Sequence, residues 1–427
     1  MNPVELMRES FDAAVAAADP LRVVAAYLPQ PSSRRVLVVG AGKAAASMAL
    51  AVENAWPEAK LDGLVITRYA HGVPTKRIRV VEAGHPVPDD AGESAARDIM
   101  QRVHSLQHGE LLLVLISGGG SSLLSLPVPE VSMTSLKSVT RLLLASGAPI
   151  GEMNIVRKHL SQIAGGRLAT AAAQRGAHVL ALMISDVTGD APTDIASGPC
   201  AADPSTYADA LDVLLRWNVK APDDVAAWLQ RGADGEVDET PKPGDPVFSR
   251  VENRVIATAH HSLEAAAENF RSHGIDAVVL GDTVTGEARE VAKVYAALVR
   301  EIRAHDKPFK PPVALISGGE CTVTLPAGSS GRGGRCSEYL LSLAVELNDM
   351  PGVYGLACDT DGIDGSETNA GAWLAPGCIE RAAARGVSAV HALDRRDSYG
   401  FFDAAESLIV TGPTRTNVND YRVILIQ

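Results

Sequence analysis

RVLVVGAGKAAASM, residues 35–48, decides how the rest of the chain is read. An apolar run enters Gly40-Ala41-Gly42, and an alanine-rich stretch with helical character follows. A run without polar alternation predicts a strand buried on both faces. A strand that turns through glycine straight into a helix opens a βα unit. The spacing Gly40-x-Gly42-x-x-Ala45 fits a relaxed dinucleotide fingerprint, in which the helix N-terminus attracts an anion. The residues leave two readings open. One is an NAD(P) site, although the next strand ends in VITRYA (65–70) without an acid for a ribose, and Arg68 would suit a 2′-phosphate. The other makes Lys43 a cation aimed at a phosphate or carboxylate, against the plainer alternative of a solvated surface lysine.

Outward from this unit, strand-like and helical stretches alternate. LDGLVITR (61–68), RIRVVEAG (77–84), LLLVLIS (111–117) and HVLALMIS (178–185) read as strands, with helices expected over 90–107, 132–146, 151–173, 205–217 and 222–231. Such alternation implies an α/β protein with parallel strands joined by crossover helices. The acidic, proline-containing segment 232–250 is the best linker, and it separates expected domains at 1–240 and 241–427. Beyond it the pattern restarts with RVIATA (254–259) as a strand.

Length and composition bound the class. A chain of 427 residues suggests two or three domains. The formal charge of −12 argues against general nucleic-acid binding, which needs a basic face. The five cysteines, Cys200, Cys321, Cys336, Cys358 and Cys378, form no CxxC pair and fit a reducing compartment. The amphipathic N-terminus lacks the order of a signal peptide, and no run is long enough to span a membrane. A cytoplasmic enzyme is expected.

Five glycine- or acid-rich corners carry the chemistry. Besides the Lys43 turn there is LLLVLISGGGSSLLSLP (111–127), where a strand opens into Ser117-Gly118-Gly119-Gly120-Ser121-Ser122. Such a loop offers bare N–H groups to phosphate, yet it has no lysine of its own. ISDVTGDAPTDIASGP (184–199) places Asp186, Asp190 and Asp194 at the end of a strand, where α/β folds put their sites and hard oxygens suit Mg²⁺. Asp194 as a helix cap is the structural alternative. ACDTDGIDGSETNAGAW (357–373) interleaves Asp359, Asp361 and Asp364 with glycine. Its spacing is wrong for an EF-hand, and Asp-Gly turns explain part of it. GSSGRGGRCSEYLLSLA (328–344) sets Arg332 and Arg335 among Gly331, Gly333 and Gly334 before a helix, an anion clamp in outline. The ending TGPTRTNVNDYRVILIQ (411–427) offers Thr411, Thr414, Thr416 and Asn417 as site groups or as a capped turn. No Walker-type loop and no kinase HRD loop occurs. His85 and His159 read as structural singletons, whereas Arg157 and Lys158 bring positive charge that suits an acidic substrate.

Taken in order, GAGKAA, EAGHPVPD, SGGGSSLL, VRKHLSQIAGGRLA, SDVTGDAPTDIASGP, SGGECTVTL, GRGGR, DTDGIDG and TGPTRTNVND resemble the MOFRL-type, class II glycerate 2-kinases across nearly the whole chain. The resemblance implies a larger Rossmann-like, doubly wound domain, a smaller α/β C-terminal domain, and an active site in the cleft between them. It implies phosphorylation of D-glycerate at its 2-hydroxyl with ATP and Mg²⁺, without nucleic-acid or membrane partners and with room for a homo-oligomer. Members have also been called hydroxypyruvate reductases, which matches the NAD(P) reading above. Lys43 and Arg335 fall where the family has its active-site cations. On this reading Gly40, Gly42, Ser117, Gly118, Gly119, Gly120, Ser121, Ser122, Gly333 and Gly334 approach nucleotide phosphates. Asp186 orients the acceptor hydroxyl. Asp186 and Asp361 are the candidates for Mg²⁺, and Asp190, Glu320 and Asp364 are associated with substrate or metal. The chain departs from the family at Cys336-Ser337, where Asn-Gln is usual, and at Arg415, where glycine is usual.

Overall fold

A computed structural model describes residues 2–31, 33–325 and 330–427. The chain divides into two compact units, Pro20–Ile256 and Met1–Asp19 with Ala257–Gln427.

The first unit is built on strands β1 (Val36–Ala41), β2 (Leu61–Arg68), β3 (Ile78–Ala83), β4 (Leu111–Ile116), β5 (His178–Ile184) and β6 (Val251–Ala257), in the spatial order β3-β2-β1-β4-β5-β6. The pairs β2/β3, β1/β2, β1/β4 and β4/β5 are all parallel. This is the Rossmann order, and it reverses direction between β1 and β4. Every residue of β1 is buried, which is why its sequence shows no alternation. On one face Leu37, Val39 and Ala41 pack with Ala95, Ile99 and Val103 of the helix Asp90–His104. The register pairs Ala41 with Ile116, so β1 and β4 end side by side.

The helix expected over 151–173 is two helices, Ile150–His159 and Arg167–Gln174. Gly165 (φ 61) and Gly166 (φ 82) break it, and only residues without a Cβ hold that conformation cheaply.

The second unit contains β7 (Asp276–Glu287), β8 (Val313–Thr322), β9 (Val353–Asp359), β10 (Gly371–Leu374), β11 (Leu408–Ile409) and β12 (Asp420–Ile426), ordered β11-β10-β9-β12-β8-β7. Only β7/β8 is parallel among these pairs. The last strand of the chain therefore lies centrally, between β8 and β9, with all its residues buried.

The division differs from the expected boundary at both ends. The amphipathic helix Pro3–Ala17 needs a partner for its apolar stripe. It finds one in the second unit, where Leu6, Met7, Phe11 and Ala14 pack with Leu263, Phe270, Tyr421 and Val423. The segment after 240 belongs to the first unit: Phe248 lies against Gly166, Asn253 Nδ2 donates to Cys200 O at 2.9 Å, and β6 extends the first sheet. RVIATA thus closes one sheet and does not open the next.

Candidate active site

Three loops leave the same edge of the first sheet, after β1, β4 and β5. The β1 loop is fastened to its neighbours by its own backbone. Gly42 N donates to Ile66 O at 3.1 Å, Lys43 N to Gly118 O at 2.9 Å and Ala44 N to Ser117 Oγ at 2.9 Å. Gly40 and Gly42, expected against phosphate, lie against β4. A Cβ on Gly40 would stand 2.0 Å from Leu115 O, and one on Gly42 2.2 Å from Ser117 Oγ. Strand packing and the positive φ of Gly42 (137°) account for both glycines. Lys43, half-buried, is carried at the end of this fastened turn.

The β4 loop is the open one. Among the described residues no acceptor in the chain takes the N–H of Gly118, Gly119 or Ser121. Gly119 (φ 80) turns the chain beside His85, whose Nε2 lies 2.7 Å from where a Cβ would be. Ser122 Oγ donates back to Gly119 O at 3.0 Å and so serves the turn. Ser121 Oγ lies 3.0 Å from Ser197 Oγ, which is also 3.1 Å from Asn154 Oδ1. Asn154 and Ser197 were not legible as site residues, since each is an ordinary polar residue in its local sequence.

Asp186, Asp190 and Asp194 are all half-buried in the β5 loop. Asp194 makes no side-chain cap, while its carbonyl accepts from Asn154 Nδ2 at 3.4 Å. Ala196 (φ 51), Ser197 (φ 57) and Gly198 (φ 63) follow one another in the left-handed region. Two of these are not glycine, at a cost of about 1–3 kcal/mol each. The strained pair leans on the β4 loop: a Cβ on Gly120 would meet Ala196 Cβ at 2.6 Å.

The bases of the helix Ile150–His159 differ in their partners. Lys158 is buried and pairs with Asp203 at 3.4 Å. His159 is buried between Ile155 O (2.8 Å) and Glu239 (3.3 Å), and burial lowers its pKa. Arg157 is half-buried, with no ion pair or hydrogen bond among the described residues.

In the second unit, Arg335 opens the helix Arg335–Leu347 and is gripped by carboxylates on three sides. Its Nε donates to Asp420 (2.8 Å), Nη1 to Glu320 (2.6 Å) and Nη2 to Asp359 (3.0 Å). Strand register assembles this cradle, because Asp420 on β12 is paired with Gly319 on β8 and with Asp359 on β9. Arg422 binds the other oxygen of Asp420 at 2.8 Å and lies over the Tyr339 ring. Burial disfavours the Asp420 charge, but Arg335 and Arg422 outweigh it and hold the carboxyl below its ordinary value. Asp420 was missed in the sequence, although it stands in the quoted ending. An acid at the first position of an apolar strand was the available signal.

Asp364 has a structural post. It is buried, accepts from the N–H groups of Cys336 (2.9 Å) and Ser337 (2.8 Å), and so caps the Arg335 helix. Burial pushes its pKa up to about 6. Gly334 makes room for it, since a Cβ there would stand 2.1 Å from Asp364 Oδ1. Gly333 is packed against Ser398 in the same way, at 2.2 Å from its Oγ. Neither glycine is needed for a phosphate to explain its presence. Asp361, also buried, accepts from Ile363 N at 2.8 Å, and its N–H donates to Asp359 at 3.0 Å. Gly328 and Ser329 of the arginine loop lie outside the described residues.

No cluster of three or more His, Cys, Asp or Glu side chains among the described residues is placed to hold a metal by itself. A nucleotide-borne Mg²⁺ needs fewer, because it takes one or two carboxylates plus phosphate and water. The donor set suits that: Glu320, Asp359, Asp361 and Asp420 outnumber Arg335 and Arg422.

Residues 6–230 match the family described as a domain of unknown function, DUF4147, and residues 313–420 match the MOFRL family. An Agrobacterium vitis protein that carries the provisional name hydroxypyruvate reductase is 48% identical over 99% of this chain and 94% of its own. A Pyrococcus horikoshii glycerate 2-kinase is 38% identical over 92% of this chain and 87% of its own. The crystal structure of a Thermotoga maritima glycerate kinase superposes with a TM-score of 0.87 at 37% identity, over 99% of both chains.

Proposed function

The chain belongs to the MOFRL family of glycerate 2-kinases, and from that premise we propose that it transfers the γ-phosphoryl group of ATP to the 2-hydroxyl of D-glycerate. The observation that carries this reading is the contrast between two loops at the sheet's topological switch. The N–H groups of Gly42, Lys43 and Ala44, which a dinucleotide pyrophosphate would need, are spent inside the protein. Those of Gly118, Gly119 and Ser121 have no acceptor among the described residues, next to the turn that carries Lys43. Open amides beside a lysine favour a transferring phosphoryl group over a nicotinamide dinucleotide.

In-line phosphoryl transfer needs positioning and charge more than covalent help. In this scheme the β4 amides and Lys43 hold the phosphoryl oxygens. Asp186, leaving the sheet from the strand beside β4, orients the acceptor hydroxyl and takes its proton as the new O–P bond forms and the bond to ADP breaks. Arg335 acts differently from Lys43. Its charge is matched by Glu320, Asp359 and Asp420, so it serves as a positioning residue that fixes those carboxylates. When bound, Mg²⁺ would supply neutralisation of phosphate charge; Asp186 of the first unit and Asp361 of the second are each a candidate carboxylate for it. The five cysteines are all free and buried, which suits a reducing compartment, and we place the reaction in the cytoplasm.

The hydroxypyruvate reductase reading draws on the Rossmann strand order and on the name of the Agrobacterium relative. One experiment separates the two: D-glycerate with ATP and Mg²⁺ in a coupled assay, beside hydroxypyruvate with NADH or NADPH. The kinase reading expects ADP formation and 2-phosphoglycerate by ³¹P NMR. NAD(P)H oxidation without ATP turnover would overturn it.

A further inference from the structure

Arg157, Lys158 and His159 stand consecutively, yet of the three only Arg157 lacks a partner among the described residues. Lys158 is spent on Asp203, and His159 lies between Ile155 O and Glu239. Nearby Arg167 donates to Lys158 O at 2.7 Å and to the Tyr207 hydroxyl at 3.4 Å. Among the described residues no carboxylate, carbonyl or hydroxyl bonds to Arg157, although the side chain is half-buried. Burial alone acts on it, lowering its pKa. A desolvated guanidinium without a counter-charge is expensive, and no described residue compensates it.

The face of the helix on which Arg157 stands is known from Asn154. Residues three apart are neighbours on a helix surface. Asn154 bonds to Ser197 Oγ and donates to Asp194 O, and Ser197 reaches Ser121. Arg157 therefore neighbours Asn154 on the side of the helix that bonds to the β5 loop, whose Ser197 in turn reaches Ser121 of the β4 loop. We propose that Arg157 binds the carboxylate of the acceptor substrate and selects a hydroxy acid over a neutral polyol. The inference rests on the glycerate kinase reading. Phosphate oxygens already have the β4 amides and Lys43, so the acceptor's carboxylate is the anion left to match. A guanidinium fork takes both of its oxygens and fixes the direction from which the 2-hydroxyl approaches.

The test uses the full-length protein, with D-glycerate and its neutral analogue glyceramide titrated calorimetrically into wild type, R157Q and R157K, and ATP kinetics measured in parallel. R157Q is expected to weaken D-glycerate roughly 10²-fold. Glyceramide affinity and the KM for ATP are expected to stay within about twofold. Free guanidinium ion should partly rescue R157A, which a merely structural role would not allow. Unchanged D-glycerate affinity in R157Q overturns the proposal, as does a rise confined to the KM for ATP. Should R157Q fail to fold, R157K decides: a retained preference for D-glycerate over glyceramide, weakened from wild type, supports the assignment, and an unaltered preference overturns it. If wild type binds D-glycerate through Arg157 but turns over no ATP, the proposal stands and the kinase reading falls.

Discussion

Lys43 and Arg335 occupy corresponding posts in the two units, each at a glycine-lined entrance to a helix, and they are held in opposite ways. Around Lys43 the backbone partners come from the end of β2 and from the loop after β4, at one edge of a parallel sheet. The backbone is fastened tightly there, and the open donors are amides of Gly118, Gly119 and Ser121. Around Arg335 the partners come from β8, β9 and β12, far apart in sequence, and the cation is matched by three carboxylates. A parallel edge presents groups to a ligand. An antiparallel register brings charges together so that they hold one another. The first arrangement is suited to chemistry and the second to fixing geometry, and substitutions should separate the two.

The largest effect is expected at Asp420. D420A leaves Arg335 and Arg422 short of a buried partner, and breaking such a pair costs about 3–5 kcal/mol. Chemical denaturation should show the loss; a stability unchanged from wild type would mean the cradle holds nothing together. Next comes K43M, which should lower kcat roughly 10²–10³-fold while leaving the melting temperature in place. A variant that loses stability in step with activity would put Lys43 in the same class as Arg335. G42A follows, at about 1–3 kcal/mol, because its Cβ would strike Ser117 Oγ and the Ser117 carbonyl. Gly189 (φ 83) also has a positive φ but open space around it, so G189A should cost only the left-handed backbone penalty, about 1–2 kcal/mol, without the clash that G42A adds. Equal losses at the two glycines would show that backbone strain, and not the fastening of β1 to β4, explains Gly42.

The smallest effect is a difference of sign with pH. Burial pushes Asp364 up to about 6 and Glu338 up to about 7, from 3.8 and 4.5. The stability they lend is complete below those lower values and is lost as pH rises through about 6 and about 7. His159, lowered by burial from 6.5, works the other way. Its contribution is present above 6.5 and is lost as pH falls below that value. Acidification from pH 7.5 to 5.5 should therefore strengthen the second unit, by about 1–2 kcal/mol, and weaken the first. Hydrogen exchange resolved along the chain reads both at once, and E338Q should flatten the response of the second unit only. A common direction in both units would refute the assignment.

Much of the candidate site was legible because its parts are local. A strand, a glycine turn and a helix start lie within a dozen residues, so Lys43, the Ser117–Ser122 loop and Asp186 could be picked out by pattern. The fold class followed from the same local alternation, because a buried parallel strand and its crossover helix announce themselves in apolar runs and periodicity. The resemblance of ordered motifs added the reaction. Other roles were hidden by what surrounds them. Asp364 reads as a metal acid in DTDGIDG, but its oxygens are taken by the N–H groups of Cys336 and Ser337, which sequence does not place there. Gly40, Gly42 and Gly334 look like ligand glycines, yet the atoms that exclude their Cβ belong to Leu115, Ser117 and Asp364.

By itself, then, the sequence determined which segments are strands and helices, which corners carry glycine and acid, and which family they belong to, since each depends on residues close together in the chain. Only the tertiary structure decided which donors are spent and which are open. It alone set Asp420 beside Asp359 and Glu320 around one arginine, joined the N-terminal helix to the second unit, and left Arg157 without a counter-charge among the described residues. Those outcomes depend on strand order and register, which bring together groups that no local spacing relates.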